Sequence, residues 1–323
     1  MTLKPGVTVF CLAYNHEQFI GQTLQGFLEQ KTDFPFHVII HDDCSTDNTR
    51  QIIRQYVAQR PELFTTIFQE ENQYSKPGVS ILRTFIYPRI ETEYTCICEG
   101  DDYWTDPMKL QLQYDYLQAH PECSMCVHNT ERVDVDGSSL HHPISSETQD
   151  RDYTPEDIIN SCGNGLFHTS AHMYRTHLRN TMPDYYNIPG VGDFPQSIYF
   201  ATQGTIHYMA RTMSAYRMNV PGSWTSRVEK NRDQFLAHLQ DVIGMMQRID
   251  QYTDGKYHAT IQNVIERSSY PGYVRYNHFF SILKSKECRK LLRKEPFGFQ
   301  IKLTVRGFAG PLIKPIKRLM NKN

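Results

Sequence analysis

The segment from Cys96 to Trp104 reads Cys-Ile-Cys-Glu-Gly-Asp-Asp-Tyr-Trp and places three carboxylates, Glu99, Asp101 and Asp102, almost side by side. Acids this close repel one another. Oxygen ligands of this kind hold hard divalent cations such as Mg²⁺ or Mn²⁺, which keep coordination positions open for phosphate. Gly100 lets the backbone approach a ligand closely. A solvated acidic turn capping the next helix would use the same residues. A second pair, Asp42 and Asp43, closes the apolar run Val38-Ile39-Ile40-His41 and leads into Cys44-Ser45-Thr46-Asp47-Asn48-Thr49. Carboxylates there can accept hydrogen bonds from a nucleobase N–H or a ribose hydroxyl, or can cap a turn or helix.

The apolar runs Val7 to Leu12, Phe36 to Ile40, Leu63 to Phe68 and Tyr94 to Cys98 have the length of buried strands. Helical spacing separates them, first in Phe19, Ile20, Leu24, Phe27 and Leu28, then in Ile52, Ile53, Tyr56 and Val57, then in Val79 to Tyr87, which carries Arg83. This alternation predicts an α/β fold, a Rossmann-like, mostly parallel central sheet flanked by helices, with ligands at the carboxyl ends of its strands. Both acid clusters fall at such ends. Ser45 or Thr46 can cap the second helix, with Asp47 at its positive end. Asp106-Pro107 opens a helix with Leu110, Tyr114 and Leu117 on its apolar side and Lys109, Gln111 and Gln113 as its polar members. Cys123 to His128 reads as a strand and Asp134 to Gly137 as a turn. Residues 138–152 form a polar loop, either a mobile cover for an acceptor or an ordinary surface connection. His168 and His172 would share a face if their stretch were helical, and could then hold a metal. Asp193 opens the helical stretch Phe194 to Thr202, and Thr205 to Met209 returns as a strand. From Ser226 onward only helical patterns occur.

Taken in order, Val7 to Leu12 with Ala13-Tyr14-Asn15, Val38 to Asp43, and Cys96 to Trp104 resemble the family 2 glycosyltransferases, inverting enzymes of the A-type nucleotide-sugar fold. The run from Trp104 to Gln113, similar to Trp-x-Asp-Pro-x-Lys-Leu-x-x-Gln, Gly192-Asp193-Phe194-Pro195 and Tyr216-Arg217 extend the likeness over roughly Val7 to Trp224. The resemblance implies a catalytic domain over residues 1–225 and a helical C-terminal region over 226–323. It implies a nucleotide-diphosphate sugar donor, with UDP as the nucleotide, contacted by Ala13, Tyr14, Asn15, Asp42, Asp43, Arg83, Glu99, Gly100, Asp101 and Arg217. Asp101 and Asp102 would hold Mn²⁺ or Mg²⁺, Arg217 would reach the diphosphate, and Asp193 would be the general base, although it would equally suit a helix N-cap. Tyr103 and Trp104 either stack on a sugar or belong to the core, and Gly222-Ser223-Trp224 would be a lid. Two positions depart from the family pattern: Glu99 stands where Asp is common, and Met218-Asn219 stands where a His often follows the Tyr-Arg pair. The implied reaction is metal-assisted transfer of a sugar to a hydroxyl of a cell-surface glycan or lipid-linked acceptor. A metal-dependent nucleotidyltransferase or a non-catalytic sugar-nucleotide scaffold would share part of this constellation.

The 323 residues carry a formal charge of −1, which gives no global reason to expect a nucleic-acid partner. No apolar run is long enough to span a bilayer, and the first strand begins too early to leave room for a signal peptide. The sequence has eight cysteines, and Cys11, Cys96 and Cys98 lie inside expected strands, as suits a reducing cytosol. Cys123-Ser-Met-Cys126 has the spacing of half a zinc site but lacks a second pair. From Lys284 to the end, 12 Lys or Arg face two acids, a net +10, leaving about −11 on the rest. Leu312, Ile313, Ile316, Leu319 and Met320 share one helical face, opposite Lys314, Lys317 and Arg318, although Pro315 interrupts the helical pattern. The expectation is a cytoplasmic protein that touches the inner face of the plasma membrane peripherally through this basic tail.

Overall fold

Centres rich in β-branched and apolar residues make β1 (Lys4–Ala13), β2 (Phe36–Asp42) and β4 (Thr92–Ile97) suited to a sheet covered on both faces, and β2 and β4 both pair in parallel with β1. They form the centre of a nine-stranded sheet in a computed structural model of the protein, which describes residues 3–163, 165–183, 193–220, 232–275 and 279–320. β3 (Phe64–Phe68) continues the parallel half beyond β2. On the other side of β4 the sheet becomes mixed. β8 (Met173–Arg175) runs antiparallel between β4 and β6 (Cys123–Val133), and β9 (Thr205–Arg217) lies parallel to β6. The two-residue β5 (Tyr103–Trp104) and β7 (Arg151–Tyr153) both pair antiparallel with β9.

The helices α1 (Ile20–Leu28), α2 (Thr49–Val57) and α3 (Lys109–Ala119) occupy the connections that the apolar periodicity marked. Ile20, Leu24 and Phe27 pack with Val7, Val9, Val38, Ile40 and Trp104 in one buried cluster. The Val79 to Tyr87 stretch differs from expectation. It forms a π-helical turn, Leu82–Ile86, followed by a 3-10 turn, Tyr87–Arg89, and Pro88 at this point lacks the N–H that a continuing α-helix would use. Trp104 is core rather than a sugar platform: its ring lies 4.8 Å from Phe27 and its indole N–H donates to Ser170 O at 3.0 Å. Lys109, expected among the polar members of its helix, is fully buried. Its Nζ donates to Gln113 Oε1 at 2.7 Å and sits 4.1 Å above the Trp104 ring, and burial lowers its pKa. Gln113 is buried too and donates to Cys126 O and Ala171 O, both at 2.8 Å, which ties α3 to the sheet.

Helices α4 (Pro155–Ser161), α5 (Thr176–Asn180) and α6 (Phe194–Gln203) complete the first part of the chain. Loop 138–152 is anchored along its length. Arg132 donates to His142 O and Pro143 O, and Asn129 binds Ser145 in both directions. Beyond residue 231 the chain is helical: α7 (Arg232–Tyr252), α8 (His258–Arg275), α9 (Phe279–Lys284), α10 (Lys286–Lys294) and α11 (Phe297–Met320). The chain clusters into two compact units, Met1–Asp184 with Gln196–Ser223, and Tyr185–Pro195 with Trp224–Asn323. Within the second, Tyr270, Phe279, Ile282, Cys288, Leu292 and Leu303 form a separate small core. All eight cysteines are free thiols. Among the described residues no helix is long and apolar enough to cross a membrane.

Candidate active site

The two acid clusters reach the same rim of the sheet because their strands flank β1. In the parallel register Ala13 pairs with Asp42, and the next amide, Asp43 N, donates to Ala13 O at 3.0 Å. On the opposite flank Cys98 N donates to Phe10 O and Gly100 N to Leu12 O at 2.9 Å, so the segment after β4 continues along β1 to the same end. Asp43 and Asp101 therefore sit at the carboxyl end of one strand, one on each side.

One ligand oxygen from each of Glu99, Asp101 and Asp102 lies within 4.8 Å of the others. Glu99 and Asp101 keep access to solvent while Asp102 is buried. Such a set of hard oxygens, close enough to share one ion and open on one side, fits Mn²⁺ or Mg²⁺. Burial, reinforced by the charges of Asp101 and Glu99, pushes the Asp102 carboxyl well above the usual carboxylate range, although Arg217 partly offsets this. The backbone of the segment is held from three directions. Thr23 Oγ1 of α1 donates to Gly100 O at 3.0 Å and Asp102 O at 2.6 Å, Arg217 N donates to Asp102 Oδ1 at 3.0 Å, and Arg217 Nη1 donates to Asp101 O at 2.7 Å. Gly100 is required by packing. A Cβ there would lie 2.7 Å from His16 Nδ1 and 3.1 Å from both Leu12 O and Ile20 Cδ1. Gly100→Ala is expected to cost about 1–3 kcal/mol by overpacking, read by urea denaturation, and to displace Asp101. Unchanged stability together with unchanged Mn²⁺-dependent nucleotide binding would show that this close approach is dispensable.

Arg217 was expected at the diphosphate, but the structure commits its guanidinium elsewhere. Besides Asp101 O, it bonds Gln22 Oε1 and Val135 O, and it lies between the rings of Phe19 and Tyr103 at 4.9 and 4.8 Å. A nearly buried planar cation with these partners holds a loop. Asp42 is likewise spent on structure. It is fully buried, accepts from Ser45 N and Ser45 Oγ, and pairs with Arg50 Nε at 2.8 Å. The oxygens of Asp43 accept from Gln73 N at 2.7 Å and Tyr74 N at 2.9 Å, which draws the segment after β3 against the rim. Asn15 adopts a left-handed backbone (φ 55°), and its N–H and Oδ1 bond Ser45 Oγ and Thr46 N. Ser45 and Thr46 thus join two loops instead of capping α2, whose N-cap position is Asn48, and Asp47 accepts from Thr49 N at the start of the helix. Tyr14 presents an exposed ring, Ala13 is buried, and Arg83 is half-buried in its π-helical turn.

Two histidines border the acids: His16, which the sequence did not single out, and His168, which the sequence paired with His172 instead. His16 Nε2 lies 3.9 Å from Asp101 Oδ2, and burial lowers its pKa against the pull of the neighbouring carboxylates. Its position directly after Ala13-Tyr14-Asn15 was an available signal. His168 Nδ1 lies 3.6 Å from Asp102 Oδ2 while its ring stacks on Tyr216 at 4.1 Å, and burial pushes its pKa down to about 3. His172 points elsewhere, into contact with Phe167, because the stretch is a 3-10 turn (Thr169–Ala171) leading into a strand; the two do not form a metal pair. Cys123 and Cys126 are buried in β6 among apolar side chains. Asp193 immediately precedes α6 and belongs to the second compact unit. It retains exposed surface, yet the protein surrounding it raises its carboxyl pKa. Gly222-Ser223-Trp224 lies outside the described residues.

Comparison with known proteins identifies the family. The profile of Glycosyl transferase family 2 matches residues 8–176, just over half of the chain. The chain belongs to this family. The uncharacterized protein Rv1520 of Mycobacterium tuberculosis is 34% identical over 231 residues, covering 70% of this chain and 62% of the relative, so the match spans about three-fifths of that protein's length. Among solved structures, residues 1–349 of Staphylococcus aureus TarS in complex with UDP-GlcNAc align with a TM-score of 0.60 at 17% identity, covering 94% of this chain and 80% of that one. The mannosyltransferase PcManGT of Pyrobaculum calidifontis in complex with GDP-Man and Mn²⁺ aligns with a TM-score of 0.52 at 15% identity, covering 95% and 88%. The fold of this family 2 member is thus the glycosyltransferase A type, with additional C-terminal helices.

Proposed function

We propose that this family 2 member is an inverting transferase that moves a sugar from a nucleotide-diphosphate donor, a UDP-sugar, to a hydroxyl of a cell-surface glycan or lipid-linked acceptor. The observation that carries this reading is the meeting of Asp43 and the Glu99, Asp101 and Asp102 cluster at the two sides of the β1 end. Tyr14 and the Asn15 turn line the nucleoside side of that rim. Asp101 and Asp102 would hold the divalent ion, and Glu99, one methylene longer than the usual Asp, reaches ribose or an ion-bound water. An ion bound there supplies counter-charge for the departing diphosphate. Asp193 takes the proton of the acceptor hydroxyl as the new C–O bond forms on the face opposite the leaving diphosphate, whose bond to the anomeric carbon breaks. Arg217 we assign to holding the Asp101 segment, in place of a diphosphate contact. TarS crystallised with UDP-GlcNAc supports a UDP-sugar donor, and PcManGT with Mn²⁺ supports the metal. The basic C-terminal region is the part that faces an anionic membrane.

A panel of nucleotide sugars incubated with Mn²⁺ tests the proposal. Release of a nucleoside diphosphate from one donor supports sugar transfer. Release of pyrophosphate would instead indicate nucleotidyl transfer, and tight binding without turnover would indicate a scaffold.

A further inference from the structure

α11 packs through one side and carries a second apolar side that is turned outward. Leu303 and Gly307 face the small core of the second unit, where Gly307 lies so close to Phe279 that an added Cβ would collide with its ring. On another side of the same helix Phe297, Ile301, Val305 and Phe308 recur at helical spacing, and all are exposed, from 47% for Ile301 to 76% for Phe297. The stripe does not stop at the helix. Phe280 of α9 is 52% exposed and meets Phe308 edge-to-face at 5.5 Å, and Leu283 follows one turn later. The result is a continuous apolar patch across two helices, larger than scattered surface apolar residues account for.

Exposed cations lie on the same two helices and on the one between them. Lys302 and Arg306 each follow a member of the stripe by one position, and Lys284, Lys286, Lys290, Arg293 and Lys294 are exposed on α9 and α10. We propose that the patch formed by Phe280, Leu283, Phe297, Ile301, Val305 and Phe308 inserts into the interfacial layer of an anionic lipid membrane, with these Lys and Arg on the headgroups. An amphipathic helix with aromatic and aliphatic residues beside lysine and arginine has the makeup of an in-plane interfacial element. A second copy of the chain fits less well, because pairing through this face would bring together two regions that each carry a net +10. The inference rests on the proposed membrane contact and adds that the contact is a wedge in the acyl boundary as well as a charge attraction.

The test is flotation of the full chain with phosphatidylcholine vesicles, with and without phosphatidylglycerol, at low and high salt. The wild type is expected to bind the anionic vesicles and to retain a salt-resistant fraction. Replacing Lys302 and Arg306 by Gln should lower partitioning about thirty-fold at low salt, on roughly 1 kcal/mol per cation. The pair Ile301→Asp and Val305→Asp should lower it on the order of a hundred-fold and remove the salt-resistant fraction. Ile301→Ser with Val305→Ser provides a milder variant, and because these side chains point outward both pairs should keep the wild-type melting curve. Absence of binding to anionic vesicles overturns the membrane contact itself. Binding that salt abolishes and that the Asp pair leaves unchanged overturns the wedge alone. If the Asp pair converts a sedimenting dimer into a monomer without affecting vesicles, the face is a self-association surface and the proposal fails.

Discussion

Asp193→Asn is expected to lower sugar transfer by about 10²- to 10⁴-fold, the usual worth of a general base, while the affinity for donor and Mn²⁺ changes little. In the proposed reaction the base acts on the acceptor hydroxyl, so its loss is felt in the chemical step. The pH profile supplies a second reading. Protein around Asp193 raises its carboxyl pKa, and a base works only when deprotonated, so the acidic limb of the rate profile should lie above the ordinary carboxylate value and disappear in the Asn variant. Isothermal titration with UDP beside a transfer assay separates the outcomes: a large loss of donor binding would place Asp193 in the donor pocket instead.

Asp101→Asn should weaken Mn²⁺-dependent nucleotide binding about 100-fold or more, since even partners outside the coordination sphere are commonly worth 10- to 100-fold in metal affinity. The substitution preserves shape, and the backbone carbonyl that accepts from Arg217 stays in place, so the loss reports charge rather than a displaced loop. A linked effect appears in stability. The Asp102 carboxyl is raised well above its unfolded value by burial and by Asp101 and Glu99. Between those two values the folded protein holds more protons than the unfolded chain, so without a cation stability falls as pH rises through that window. Mn²⁺ should therefore raise Tm at neutral pH, by an amount equivalent to about 2.7 kcal/mol at a hundredfold excess over Kd, and should do less as pH is lowered. Calorimetry showing the same nucleotide titration in wild type and Asp101→Asn would place the metal elsewhere.

The parallel half of the sheet was legible because β1, β2 and β4 are centred on apolar and β-branched runs whose ends are marked by polar residues. The mixed half was less so. β5 has two residues and β8 three, too few to show a period, and both exist because longer strands pair with them. Lys109 and Gln113 read as surface residues by type, and only the tertiary arrangement shows that each finds its partners inside. The acidic triplet Glu99, Asp101 and Asp102 stood out because its members are nearly adjacent. Arg50, Gln22 and His16 did not, since their relation to the site comes from how distant elements meet. The resemblance pointed to Arg217 as a diphosphate contact, whereas the partners its guanidinium takes, Val135 O, Gln22 Oε1 and Asp101 O, are encoded by no local spacing. The apolar tail face expected at Leu312 to Met320 lies among side chains outside those described, whereas the exposed stripe earlier in α11 was masked in sequence by the Lys and Arg interleaved with it.

The loops after β1 and β2 are laced together by side chain to backbone bonds in both directions: Asn15 with Ser45 and Thr46, His16 N with Thr49 Oγ1, Glu17 N with Asp47 Oδ2, and Glu17 Oε2 with Asn48 N. Neither can be exchanged alone. A chimera that transplants the Asn15-His16-Glu17 turn from a relative without its matching Ser45-to-Thr49 counterpart would leave donors and acceptors mismatched on both sides, so grafts intended to alter nucleotide preference have to move the two as one cassette.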